Sequence, residues 1–126
     1  MVSTSTPTNA EILTALDEAK VFVESHWEKK PRLGIVCGSG LSGMADLVEN
    51  PIEIDYGTIP HMPTPKVVGH AGKLVLGELD GTPVAVLCGR VHVYEGWPMW
   101  QVVFGVRLLA SLGVECVLLS NAAGSI

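Results

Sequence analysis

KLVLGELDGTPVAVLC, residues 73 to 88, settles the class of fold. Two runs rich in Val and Leu, Lys73 to Leu79 and Pro83 to Cys88, flank Asp80-Gly81. An Asp-Gly pair supplies the two positive-φ positions that a tight hairpin turn needs, so the stretch predicts two antiparallel strands. Upstream, Leu33 to Cys37 (LGIVC) is a short apolar run suited to a strand buried on both faces, and it leads directly into Gly38 to Gly43. Downstream, Cys116 to Leu119 has the same buried-strand character and delivers Asn121-Ala122-Ala123-Gly124. Buried strands entering glycine-rich turns belong to parallel sheets, whereas the 80–81 turn belongs to an antiparallel one. The sheet is therefore predicted to be mixed.

Helices fill the intervals. Thr8 followed by Glu11 is a capping-box signature, and Ile12, Leu13, Leu16, Ala19 and Val23 recur at helical spacing up to about His26. A short helical stretch over 41–48 is closed by Asn50-Pro51, ahead of a brief strand from Ile52 to Tyr56. Pro60, Pro63 and Pro65 remove backbone donors from 57–70, which predicts an ordered but irregular loop. A helix from Met99 to Ser111 carries Val102, Val103, Val106, Leu109 and Ala110, with Gly113 as its stop. Residues 1–8, rich in Ser, Thr and Pro, read as a disordered or loosely held tail. The order of elements gives an α/β layer structure, a mixed β-sheet flanked by helices.

Composition narrows the function. With 48% hydrophobic and 17% charged residues in 126, the chain can bury one core. A net charge of -5 with no cluster of Lys and Arg excludes nucleic acid as a partner. Neither a leader-like N-terminus nor a run of about 18 apolar residues is present, so no membrane partner is expected and the location is expected to be cytoplasmic. Cys37, Cys88 and Cys116 lie in apolar runs without metal-ligand spacing and read as buried free thiols, as suits a reducing compartment.

Two clusters carry chemistry. Gly38-Ser39-Gly40-Leu41-Ser42-Gly43 satisfies GxGxxG after a predicted strand, and Asp55 lies where a dinucleotide fold places its ribose-binding acid. Against an oxidoreductase domain of that kind, Asn50-Pro51 leaves only about two helical turns for a crossover, and the hairpin is antiparallel. What such a loop offers is backbone N–H groups, a helix N-terminus and the hydroxyls of Ser39 and Ser42, all suited to an oxyanion. In GRVHVYEG, residues 89–96, Arg90, His92 and Tyr94 alternate and so share one face in an extended chain. A guanidinium fork, an imidazole and a phenol there suit an anion beside an apolar ring. The plainer alternative is an exposed polar face on an edge strand.

Taken in order, CGSGL (37–41), GHAG (69–72), GRVHVYEG (89–96) and NAAGS (121–125) resemble the trimeric purine nucleoside phosphorylases. The match extends over 33–125, about the first half of a family member, so residues 9–126 are expected to form a partial nucleoside phosphorylase domain, incomplete without the other half. The resemblance implies that Ser39, His70, Arg90, His92 and the backbone N–H of Ala122 bind phosphate, with Glu95 supporting His92 in catalysis. It places Tyr94 against the ribose and Asn121, Ala122, Ala123 and Gly124 along the base. Pro65-Lys66 departs from the Ser/Thr-Thr pair usual before GHAG. The implied reaction is phosphorolysis of a purine (deoxy)ribonucleoside to free base and (deoxy)ribose 1-phosphate. The implied partners are a purine nucleoside and inorganic phosphate, with no metal or organic cofactor and a homotrimer as the assembly. The purine-protonating groups would come from the other half, so the chain alone is expected to be inactive. A non-catalytic phosphate-binding or subunit-associating chain is the alternative. His26, His61, Trp27, Trp97 and Trp100 read as structural or interface residues, and Arg107 as solvated or interfacial.

Overall fold

A computed structural model describes residues 6–37, 42–65, 72–89 and 96–119. Helix α1 spans Asn9–His26, β1 Leu33–Cys37, a 3₁₀ turn Ser42–Leu47, β2 Glu49–Asp55, β3 Lys73–Leu79, β4 Thr82–Cys88, α2 Met99–Val102, α3 Phe104–Ser111 and β5 Cys116–Leu119. The five strands form one sheet in the order β2-β3-β4-β1-β5. β2 with β3 and β3 with β4 are antiparallel, while β1 runs parallel to both β4 and β5. The expected mixed sheet is present, and the strand after β1 lies at the far edge of the sheet instead of returning beside it. That order is incompatible with a dinucleotide-binding unit, in which consecutive parallel strands are neighbours.

The hairpin forms as its turn chemistry requires. Asp80 and Gly81 have φ of 50° and 82°, the pair of positive values of a primed turn, and Leu79 faces Thr82 across it. At the other end of the hairpin Lys73 is opposite Cys88. Strand alternation then sorts the side chains between two faces. Val36, Leu74, Leu76, Ala85 and Leu87 face α1 and α3, where Phe104, Leu108 and Leu109 are fully buried. Ile35, Cys37, Val75, Val84 and Val86 face the opposite way, against Val48 and the 3₁₀ turn through Met44 and Ala45. Helix α1 begins with the complete capping box: Glu11 N–H donates to Thr8 Oγ1 at 3.1 Å and Thr8 N–H to Glu11 Oε1 at 3.0 Å.

Four expectations need correction. β2 starts at Glu49 and includes Asn50-Pro51, because β2 is an outer strand of the described sheet and carries a register irregularity between Glu49 and Ile52, where a proline removes no needed donor. The stretch after the glycine loop is 3₁₀. The 99–111 helix is interrupted at Val103 (φ -92°, ψ 0°), where adjacent β-branched residues and Gly105 weaken helical preference. β5 is not buried: Leu118 and Leu119 are 51% and 59% exposed and Cys116 is exposed, because β5 is the outer strand of the described sheet. Gly113, with φ 99°, stops α3 as expected.

Candidate functional site

All the residues that the resemblance assigns to the site, Ser39, His70, Arg90, His92, Tyr94, Glu95, Asn121, Ala122, Ala123 and Gly124, lie outside the described residues, while Ser42 opens the 3₁₀ turn and Asp55 ends β2. The described residues that border their segments are informative nevertheless. Cys37, where 38–41 begins, is paired with Cys88, one residue before Gly89 and the segment 90–95. Lys73, one residue after Gly72 and the segment 66–71, is also opposite Cys88. Val36 is paired with Leu119, where 120–126 begins. Three parallel strands thus end, and one antiparallel strand begins, at a single edge of the sheet. Four segments separated by up to about 80 residues in sequence are attached there, at the carboxyl ends of parallel strands where open α/β sheets hold their ligands.

Tyr56 joins these border residues. It follows β2, is buried to 1% exposure, and donates from its hydroxyl to the Gly89 carbonyl at 2.6 Å. Its own N–H donates to the Gly72 carbonyl at 3.1 Å. Gly72 lies so close to the ring that a Cβ there would overlap Tyr56 Cδ2, and would also come within 2.9 Å of Pro65 Cδ. Gly89, with φ 99°, has the left-handed backbone that glycine adopts without penalty, and a Cβ on it would stand 3.3 Å from Gly72 Cα. Sequence reasoning missed Tyr56. Nothing in its local pattern marks it, because its partners lie 16 and 33 residues away.

Next to this edge, a cavity of about 330 Å³ lies between the α1/α3 face of the sheet and α2–α3. Val36, Leu87 and Leu119 line its sheet side, with Met62, Val102 and Val106 across from them; Tyr56, Gly89 and Gln101 are also in its wall. Gly105 allows the approach, since a Cβ there would meet Leu87 Cδ1 at 3.0 Å.

The electrostatics of the edge are set by burial. Desolvation pushes the Tyr56 phenol far above its ordinary range, so it remains a hydrogen-bond donor at any working pH. Burial likewise raises the Cys37 thiol, and it pushes Cys88 up to about 11, with the neighbouring Cys37 adding to the effect and Lys73 opposing it. Both are poor nucleophiles at neutral pH. Among the described residues, no three His, Cys, Asp or Glu side chains gather as a metal-ligand set. No described helix is long and apolar enough to cross a membrane.

Of the histidines and tryptophans assigned to structure, His26 and His61 contact α1, and Trp27 and Trp100 pack against the core. His26 Nδ1 is 2.9 Å from the Phe22 carbonyl at the end of α1, and His61 Nε2 is 3.3 Å from Glu18 Oε1. Trp27 and Trp100 pack against the core, Trp100 edge-on to Phe104 with ring centroids 6.4 Å apart. Arg107 is exposed.

Comparison with known proteins shows the family and the fold. The family described as the phosphorylase superfamily matches residues 32–126. The chain is similar to purine nucleoside phosphorylase 1 of Bacillus subtilis (strain 168), 43% identical over 111 residues that cover 88% of this chain and 41% of that protein. Against purine nucleoside phosphorylase of Bos taurus the identity is 44% over 110 residues, 87% of this chain and 38% of the relative. A crystal structure of purine nucleoside phosphorylase in complex with ribose-1-phosphate superposes with a TM-score of 0.84 at 39% identity, over 94% of this chain and 43% of that one. The chain spans about two-fifths of the length of the relatives it matches.

Proposed function

The chain belongs to the phosphorylase superfamily, and from that premise we propose that it is the phosphate-binding part of a purine nucleoside phosphorylase. The observation that carries this reading is the convergence at one sheet edge: the described borders of 38–41, 66–71, 90–95 and 120–126 meet there, and those segments hold Ser39, His70, Arg90, His92 and Ala122. The proposed reaction is attack of inorganic phosphate on the anomeric carbon of a purine (deoxy)ribonucleoside. The C–O bond to phosphate forms as the glycosidic C–N bond breaks, the electron pair leaving with the base. The products are free base and (deoxy)ribose 1-phosphate.

As the base departs the sugar becomes oxocarbenium-like, and a phosphate dianion held beside it stabilises the developing positive charge. Arg90 supplies a two-donor fork to that dianion, and Ser39, His70, His92 and the Ala122 N–H supply further donors. Glu95 orients His92. Tyr94 lies against the ribose, and Asn121 to Gly124 against the base. The displacement calls on no metal or organic cofactor, phosphate being the co-substrate. A homotrimeric assembly and a role in purine salvage in the cytoplasm follow from the same resemblance; light scattering and cell fractionation test the assembly and the location.

The deciding experiment is phosphorolysis of inosine, guanosine and adenosine by the intact protein that contains this sequence, with free base and ribose 1-phosphate measured against phosphate concentration. Phosphate-dependent release of both products is expected. Release of base without phosphate, or no release from any of the three, rejects the proposal.

A further inference from the structure

We propose that Tyr56 is a positioning residue for the phosphate site, a strut that holds Gly72, the residue after 66–71, and Gly89, the residue before 90–95, in one mutual arrangement. The inference rests on the phosphate-site reading given above and adds to it a residue outside every motif.

Three contacts carry it. The Tyr56 hydroxyl donates to the Gly89 carbonyl at 2.6 Å, one peptide unit before Arg90. Its N–H donates to the Gly72 carbonyl at 3.1 Å, two residues after His70. Its ring occupies the space that a side chain on Gly72 would need, next to Pro65 at the other border of 66–71. One side chain and its own backbone therefore touch both borders. The edge β-ladder alone does not do this, since the regular pairing of β3 with β4 ends at Lys73 and Cys88. The strut is stiff. Tyr56 is 1% exposed, and a buried aromatic with its hydroxyl satisfied has a single placement. It is also constant in charge, because its phenol stays protonated.

Such a residue acts through the groups it places, so its loss should be felt by one substrate. Sub-ångström misplacement of a donor costs affinity for the ligand that the donor serves while leaving contacts elsewhere intact. Tyr56→Phe keeps the ring and removes only the hydroxyl, which isolates the bond to Gly89.

The experiment is steady-state kinetics of the intact protein with phosphate and inosine varied in turn, for the parent, Tyr56→Phe, Pro65→Ala and Arg90→Ala, together with thermal melts. Tyr56→Phe is expected to raise the phosphate KM about three- to tenfold, the scale of one lost hydrogen bond. The inosine KM should stay within about twofold, because Gly89 adjoins Arg90 directly whereas Tyr94, on the ribose side, is five residues further along. Pro65→Ala, which loosens the packing on Gly72 without touching the hydroxyl, is expected to move the phosphate KM in the same direction, and it decides the matter should the Phe variant fail to fold. An unchanged phosphate KM in the variants that fold, or equal rises in both KM values, overturns the strut. Loss of phosphate use in Arg90→Ala alongside an unaffected Tyr56→Phe removes only this inference. An Arg90→Ala enzyme with normal phosphate KM removes the site reading on which it rests.

Discussion

At the scale of single residues, glycine at 72 and arginine at 90 illustrate two kinds of necessity. Gly72 is required by a neighbour: a Cβ there would overlap the Tyr56 ring, which is locked by its bond to Gly89. Gly72→Ala should therefore destabilise the fold by about 1–3 kcal/mol, the usual range for overpacking a tight interior, and lower the melting temperature accordingly. The other necessity is chemical and belongs to the proposed phosphate site, in which Arg90 supplies the charge-assisted fork. Replacing Arg90 with alanine removes the charge-assisted fork and should raise the phosphate KM by at least about tenfold while changing the nucleoside KM much less, as read by varying each substrate separately. The thiols make a third case. Burial holds Cys37 and Cys88 protonated, Cys88 at about 11, whereas Cys116 is exposed. Iodoacetamide at neutral pH should label Cys116 first, and peptide mass spectrometry of a time course checks the order.

At the scale of elements, the start of α1 and the 80–81 turn are local devices whose sequence signals are sufficient. Thr8 and Glu11 satisfy each other's backbone donors, and Thr8→Ala should cost about 1 kcal/mol in chemical denaturation. The Glu11 carboxyl is held below its ordinary pKa by the hydrogen bonds from Thr8, the backbone one first. A depressed acid contributes stability that is present above its unfolded pKa and is lost as pH falls through its folded value. The cap should therefore weaken on acidification below the ordinary carboxylate range, and Glu11→Gln should flatten that part of the stability–pH curve. The elements that departed from expectation are those governed by neighbours. Pro51 within β2 is tolerated because, among the described residues, that strand pairs with β3 alone. Val103 interrupts the second helical region at a point where Gly105 approaches Leu87. Both outcomes depend on what lies across the sheet, which periodicity along the chain does not contain.

At the scale of the whole molecule, β5 is the outer strand of the described sheet and carries Leu118 and Leu119, 51% and 59% exposed. An exposed apolar outer strand recruits other chains. The 126-residue polypeptide expressed by itself should self-associate in size-exclusion chromatography, and Leu118→Lys should shift it toward the monomer. The sequence by itself determined the hairpin, the capped first helix, the strand that enters the glycine loop and the order of the four motifs. Each of these is set by interactions within a few residues or by a pattern written along the chain. Only the tertiary structure decided the order β2-β3-β4-β1-β5, the shared edge where the motif segments attach, and Tyr56 bound to Gly72 and Gly89. Those depend on burial and hydrogen bonding between residues tens of positions apart, and such pairings come from the competition of whole surfaces for a common core, which no local window of sequence records.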